Sequence, residues 1–356
     1  MFGHDETEPH PIFPVALMRL LLLQLKRIGD LVLTTPAITC LREKFPQAQI
    51  ILTLEKGSAG LLPLIDHDEA IILRRGKLDL AQWQELTLSP FDVCLDFTGN
   101  DRSALVTSVS RAGRRITWQR FARKPLRRWI YTEFVESRVQ DRHTADHHTD
   151  LLQPLGIERS GVPSRLTVPS DIQTRVDELL AGHGVRGPFI VVHPGSARAE
   201  KFWRSEGWAE VIQEILRTTT CQVIVTGAGT RDEETHLQEI LTACPPSCRE
   251  RIVNLAGACE LAELAGVLRR ARVVCGVDSA PLHFADALQV PVLALFGPTN
   301  PLQWRPRDTA SKILVPPGTK PIGPKYDPGA PVQNIPVAHV LQALHELLPE
   351  NSAAPA

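Results

Sequence analysis

Apolar residues along this chain gather in short blocks, and between the blocks they recur at helical spacing. Residues 16–25 (Ala-Leu-Met-Arg-Leu-Leu-Leu-Leu-Gln-Leu) predict a buried strand, followed by the loop Lys26-Arg27-Ile28-Gly29-Asp30 and a helix-prone segment to Phe45. Pro36 lies inside that segment and starts a new turn, because an interior proline breaks a helix. Residues 49–54, 69–73 and 93–97 predict further strands. Strands alternating with helical segments indicate βαβ units and a mainly parallel sheet.

The second half repeats the pattern. A strand over 189–192 leads into His193-Pro194-Gly195-Ser196. Val211, Ile212 and Ile215 mark an amphipathic helix over 208–217. A strand over 222–226 closes on Gly227-Ala228-Gly229, and a helix over 232–241, a strand over 252–255 and a helix over 261–271 follow. The run Val273-Val274 then ends in the polar turn Asp278-Ser279-Ala280-Pro281, with His283 in the first turn of the next helix and an apolar strand from Val290 to Phe296. Residues 313–336 carry several Pro and Gly and read as an irregular connection, 337–348 as a last helix, and 351 onward as a frayed tail. The order predicts two successive α/β domains joined between about 160 and 188.

Composition agrees with an ordinary soluble globular chain: 356 residues, 43% hydrophobic and 22% charged, with a net charge of −1 that implies no global affinity for polyanions. Charge is uneven, however. Nine Lys/Arg and no Asp/Glu lie between Arg102 and Arg128, interleaved with Trp118 and Phe121 and followed by Trp129, which suits a surface for anionic, partly apolar ligands as well as a solvated face. No nucleic-acid-binding motif accompanies it, and no nucleic-acid partner is expected. Seven dispersed cysteines argue against a disulfide framework and for a reducing compartment. Residues 1–14 are polar and lack the basic start and apolar core of a signal peptide, and Leu20–Leu25 is too short to span a bilayer. A cytoplasmic protein is expected, with peripheral contact to the inner membrane surface.

Four constellations carry candidate chemistry. A Gly-Asp pair at a strand's C-terminal end, Gly29-Asp30, lies where open α/β sheets bind ligands. Asp30 is placed there either as a helix N-cap or as a general base. His193-Pro-Gly-Ser196 followed by Lys201-Phe-Trp203 combines close backbone approach with a point charge suited to phosphate, although a surface turn with a solvated lysine has the same pattern. Gly227-Ala-Gly is followed by Asp232 and Glu233, which either complement a helix dipole or hydrogen-bond a ribose diol. Asp278-Ser279-Ala280-Pro281-Leu282-His283 places small residues at a helix N-terminus, where anions are stabilised; capping and a core histidine are the plain alternatives.

Taken in order, these segments resemble the ADP-heptose:lipopolysaccharide heptosyltransferase family. The resemblance spans roughly residues 17–348 and is carried by Arg27-Ile-Gly-Asp30 with Thr35-Pro36-Ala37, the His193 and Lys201 segments, Leu261-Ala-Glu-Leu-Ala265, Val277-Asp-Ser-Ala-Pro-Leu-His283, Phe296-Gly-Pro-Thr299 and Trp304-Arg-Pro306. It implies an α/β GT-B fold, two Rossmann-like domains facing a central cleft. Residues 16–175 would bind acceptor and 176–335 donor, with a polar extension over 1–15 and a C-terminal helix and tail, 336–356, that can pack back on the N-terminal domain.

The resemblance further implies an inverting, metal-independent and cofactor-free transfer of heptose from ADP-heptose to the lipopolysaccharide inner core. Asp30 would be the base, Ser196 and Lys201 would meet the donor phosphates, and Asp232 or Glu233 the ribose. Asp278, Ser279, Ala280 and His283 would line the diphosphate and sugar. Arg111, Arg114, Arg115, Arg123, Arg127 and Arg128 are the candidate contacts for the acidic groups of a lipid A-core saccharide. Ala280 stands where the family usually has glycine, and if that position needs φ > 0, donor binding is weakened or the donor altered. Two other readings keep the architecture: a transferase for another nucleotide-sugar or acceptor, and a non-catalytic nucleotide-binding relative.

Overall fold

The computed structural model describes residues 17–74, 80–320 and 322–348; the extension over 1–15 and the tail from 351 lie outside the described residues. Two six-stranded sheets, each parallel throughout, organise the chain. The first contains β1 (Arg19–Gln24), β2 (Gln49–Glu55), β3 (Glu69–Leu73), β4 (Val93–Asp96), β5 (Arg114–Trp118) and β6 (Glu133–Val135), in the order β3-β2-β1-β4-β5-β6. The second contains β7 (Phe189–His193), β8 (Gln222–Val225), β9 (Ile252–Asn254), β10 (Val274–Val277), β11 (Val292–Leu295) and β12 (Ser311–Leu314), in the order β12-β11-β10-β7-β8-β9. Both follow the doubly wound order 3-2-1-4-5-6, so each has one switch point, between β1 and β4 and between β7 and β10.

Helices α1 (Ile28–Val32), α2 (Thr35–Lys44), α3 (Leu80–Leu88), α4 (Asp101–Ser110), α5 (Pro125–Ile130) and α6 (Thr144–Asp150) belong to the first half. Helices α7 (Ser170–Gly182), α8 (Ser205–Thr218), α9 (Arg231–Ala243), α10 (Leu261–Arg270), α11 (Ala280–Ala287), α12 (Pro301–Trp304) and α13 (Val337–Leu347) follow. The continuous apolar run of β1 is explained by burial on both faces: Leu20 and Leu22 join one core, Leu21 and Leu23 another. Pro36 sits in the first turn of α2 and separates it from α1.

Four sequence expectations shift. β5 falls in the stretch read only as basic, with β6 just beyond it, and β12 begins at Ser311 and ends inside the supposed irregular connection. The boundary at 175/176 cuts through α7, whose Ile172, Val176 and Leu180 pack beside Ala262 and Ala265 of α10 in one core. Gly266 permits that contact, since a Cβ there would lie 2.6 Å from Val176 Cγ2. Helix α13 packs not on the first sheet but on the second half, its Val340 and Leu344 sharing a core with Val211 and Ile215 of α8.

Candidate active site

The N-terminal half of the site opens directly from β1. Arg27 is the N-cap of α1, so Asp30 lies in its first turn rather than at the cap. Its carboxylate is buried, 3.8 Å from Lys26 Nζ. Burial pushes Asp30 above the usual carboxylate range, while the Lys26 charge and the amides of Arg27 and Asp30 pull it back. Burial likewise lowers Lys26, and Asp30 opposes that shift.

Behind this turn a buried polar chain fixes the backbone. Thr34 Oγ1 donates to the Asp30 carbonyl (2.8 Å) and accepts from Gln24 Nε2 (2.8 Å). His148 Nδ1 lies 3.0 Å from the Leu33 carbonyl, which can only accept, so the proton sits on Nδ1 and Nε2 is left buried and bare. His147 stacks on Trp118 with ring centroids 3.8 Å apart. The β4 carboxylate, Asp96, is committed elsewhere: it accepts from Tyr131 OH (2.5 Å), Ser103 Oγ (2.7 Å) and the amides of Thr98 and Gly99 (both 2.9 Å).

The C-terminal half gathers segments far apart in sequence. Lys201 Nζ donates to the carboxylate and the carbonyl of Asp278, at 2.5 and 3.1 Å, joining the segments that follow the two switch-point strands, β7 and β10. His193 Nδ1 contacts Thr226 Oγ1 at 2.9 Å, and burial holds its pKa at about 4. Ser196 is buried nearby in chain order, after the turn. Of the two acidic candidates, Asp232 is exposed and Glu233 buried. Thr230 caps α9, and Glu233 Oε2 accepts from the Ala228 amide at 2.9 Å. A Cβ on Gly195 would stand 2.6 Å from Glu233 Oε1, so glycine lets this turn pack closely on the Glu233 side chain in the first turn of α9. Gly195, Thr226, Gly227, Gly229, Glu233 and Ala256 line one cavity.

Helix α11 starts at Ala280, which does not have positive φ, so the methyl strains nothing in the backbone. Ser279 is the N-cap, with its hydroxyl bonded back to the Val277 carbonyl (3.0 Å), and no side chain caps the helix. His283 is buried, with pKa lowered to about 4 by desolvation and Nδ1 without a partner. The two halves touch here. A Cβ on Gly29 would lie 3.0 Å from His283 Cδ2 and 4.0 Å from Ala280 Cα, so the loop bearing Asp30 abuts the start of α11.

The basic stretch divides. Arg114 binds Glu133 through two nitrogens (both 2.8 Å) and the Pro154 carbonyl, and Arg115 binds the carbonyls of Ile130 and Ala112. Arg127 is buried on the Gly99 carbonyl (2.6 Å) and Asp101 (2.7 Å). These three hold the fold. Arg111 and Arg123 are exposed, as are Arg128 and Arg120, and Arg120 lies within charge range of Lys26. Sequence reasoning gave Lys26, four residues before Asp30, no role, and it missed Arg120, which only the fold brings within charge range of Lys26. It also missed the clasp between halves, in which Arg307 binds Asp146 (2.6 and 3.1 Å) and His143 Nε2 donates to the Arg305 carbonyl (2.9 Å). The Asp-x-Asp triplet Asp66-His67-Asp68 is spent on Arg42 and the Ile50 amide.

With this geometry in place, comparison with known proteins is specific. A sequence model of the family described as glycosyltransferase family 9 (heptosyltransferase) matches residues 80–321. Lipopolysaccharide heptosyltransferase 3 of Escherichia coli is 26% identical over 287 residues, which cover 78% of this chain and 82% of that protein. Lipopolysaccharide core heptosyltransferase OpsX of Haemophilus influenzae is 25% identical over 312 residues, covering 85% and 86%. The solved structure of the Escherichia coli ADP-heptose lps heptosyltransferase II superposes with a TM-score of 0.77 over 94% of this chain and all of that one, at 20% identity.

Proposed function

Because the chain belongs to glycosyltransferase family 9, the heptosyltransferases, and is a glycosyltransferase of the GT-B fold acting in lipopolysaccharide core biosynthesis, we propose that it transfers heptose from ADP-heptose to an inner-core saccharide on lipid A with inversion and without a metal. The observation that carries this reading is the apposition of the Asp30 loop to the start of α11, with Lys201 and Asp278 joined at the second switch point.

In a single displacement, Asp30 takes the proton of the acceptor hydroxyl as that oxygen attacks the anomeric carbon. The bond to the β-phosphate oxygen breaks on the opposite face, and ADP leaves with the bonding pair. Negative charge then grows on the β-phosphate. Lys201 and the uncapped amide of Ala280 are placed to stabilise it. Glu233 is the candidate placed for a ribose diol, because it lines the cavity with Gly195 and Gly227 while Asp232 does not. Neutral His283 sits beside the diphosphate path without adding charge. Among the arginines, the exposed Arg111 and Arg123 join Lys26 and Arg120 as acceptor contacts, whereas Arg114, Arg115 and Arg127 position the backbone. The free thiols of all seven cysteines support a reducing, cytoplasmic setting.

The test is Asp30→Ala. Transfer should fall by roughly 100- to 10,000-fold, while calorimetric ADP affinity stays within about twofold of the parent, since base and donor site lie on different halves. Turnover near the parent's would remove Asp30 from the mechanism. Selective binding of UDP or GDP over ADP would favour a different donor.

A further inference from the structure

Helix α5 presents a surface that the transfer chemistry does not use. Trp129 is 86% exposed and Leu126 71%, three residues apart and hence on one face. They are not loose ends of a frayed segment. The buried guanidinium of Arg127 ties the helix to Gly99 and Asp101, Arg128 Nε donates to the Ala122 carbonyl (2.8 Å), and Arg127 stands 4.9 Å from the Phe121 ring. Phe121 in turn fills the space over Gly99, where a Cβ would lie 1.8 Å from the ring. A rigid mount therefore holds two large apolar side chains out in water. Neighbouring α4 adds Leu105, 51% exposed and one turn along from the Asp101 that anchors Arg127.

Positive charge surrounds this face. Arg120, Arg123, Lys124 and Arg128 are all exposed, from Arg102 to Thr132 the sequence holds no acid, and the exposed Asp101 just before it pairs with Lys124 and Arg127. The basic side continues inward: Arg120 is within charge range of Lys26, which pairs with Asp30. Isolated exposed leucines need no explanation, but a pinned Trp-Leu pair ringed by cations matches the chemistry of an anionic lipid surface: apolar atoms enter the headgroup boundary while Lys and Arg meet phosphate.

We infer that α5 and its basic rim dock this enzyme on an anionic membrane surface, with Leu126 and Trp129 inserted and Arg123, Lys124 and Arg128 on the headgroups. The inference rests on the lipid-anchored acceptor proposed above for the orientation it explains. A docked α5 would hold the membrane-embedded end of the acceptor on the side from which the Arg120–Lys26 charges lead to Asp30. One helix face of this size gives reversible attachment, not permanent anchoring.

The experiment is co-sedimentation of the full chain with vesicles of phosphatidylethanolamine and phosphatidylglycerol, against vesicles of phosphatidylcholine alone. The parent should bind the anionic vesicles and not the neutral ones. The double variant Leu126→Ser, Trp129→Ser should bind at least about tenfold more weakly, and Arg123→Glu with Lys124→Glu should abolish the preference for anionic lipid. Because all four side chains are exposed, thermal melting and turnover on a delipidated, water-soluble acceptor should match the parent for the Leu126/Trp129 variant, and brominated lipid should quench parent fluorescence more than the variant's. Parent protein that ignores anionic vesicles, or a double variant that binds as tightly as the parent, overturns the proposal. So does a double variant whose change is in sedimenting mass rather than vesicle binding, which would make this a protein–protein face. Vesicle binding is read without any sugar transfer, so failure of the heptose assay leaves this result separate.

Discussion

Asp30 and Lys26 show how one side-chain pair tunes a reaction. A general base must be ionised to act, and burial raises the pH at which Asp30 ionises. Lys26, 3.8 Å away, works against that shift. Lys26→Ala should therefore move the acid limb of the kcat/KM pH profile to higher pH, while Lys26→Arg should leave it near the parent's position. An unchanged limb in Lys26→Ala would show that the two charges do not communicate. Neighbouring residues illustrate a second lesson. Asp96 is more deeply buried than Asp30 and its pKa is also raised, yet four donors consume its oxygens, so a perturbed carboxyl alone does not identify a base.

The elements around the switch points are short, and their placement depends on a few close contacts. Gly99 combines φ of +68° with the Phe121 ring lying where its side chain would be. Gly99→Ala should thus lower unfolding stability by about 2 kcal/mol or more, and it should loosen the 119–130 segment that Phe121 and Arg127 fasten. Hydrogen exchange on α5 rising with the loss of stability would confirm the coupling. A full-length protein that melts like the parent would refute it. Helix α11 gives the opposite case. Alanine replaces the family's usual glycine at 280, but the position is ordinary helix, so no loss of donor affinity follows from backbone strain.

At the scale of the whole chain, one core cluster runs through both halves, from Leu20 and Leu31 to Val191 and Phe296, and the Arg307–Asp146 clasp adds a half-buried pair across the same boundary. Many histidines lie inside this body in neutral form. Burial lowers His143 and His147 to about 3, His193 and His283 to about 4, and His148 well below its ordinary value. Below pH 6.5 the unfolded chain takes up protons that the folded chain refuses, so stability falls as pH drops from 6.5 toward 4. At pH 5 the contribution is at most roughly 2 kcal/mol per histidine, partly offset by Asp286, whose pKa is raised to about 6 and which favours the folded state on protonation. The urea midpoint should accordingly be lower at pH 5 than at pH 7; equal midpoints would mean these rings protonate freely in the native state.

Much of this was legible in the residues. Alternating apolar blocks and helical segments are local consequences of period and burial, and so the order of elements and the two-sheet α/β class could be read directly. The same holds for the glycine and small-residue turns after β1, β7 and β10, since a strand that ends in Gly-Asp or Asp-Ser announces a backbone reversal on the spot. Partnership is different, because it joins residues with no local bond between them. Lys201 meets Asp278 from 77 positions away, Gly29 meets His283 across two sheets, and Glu233 rather than Asp232 turns inward because Thr230 sets the phase of α9. Six similar arginines separated into braces and free charges only when packing had supplied, or withheld, carbonyls and carboxylates within reach. A linear pattern specifies which faces want to be covered, and only the folded chain specifies what covers them.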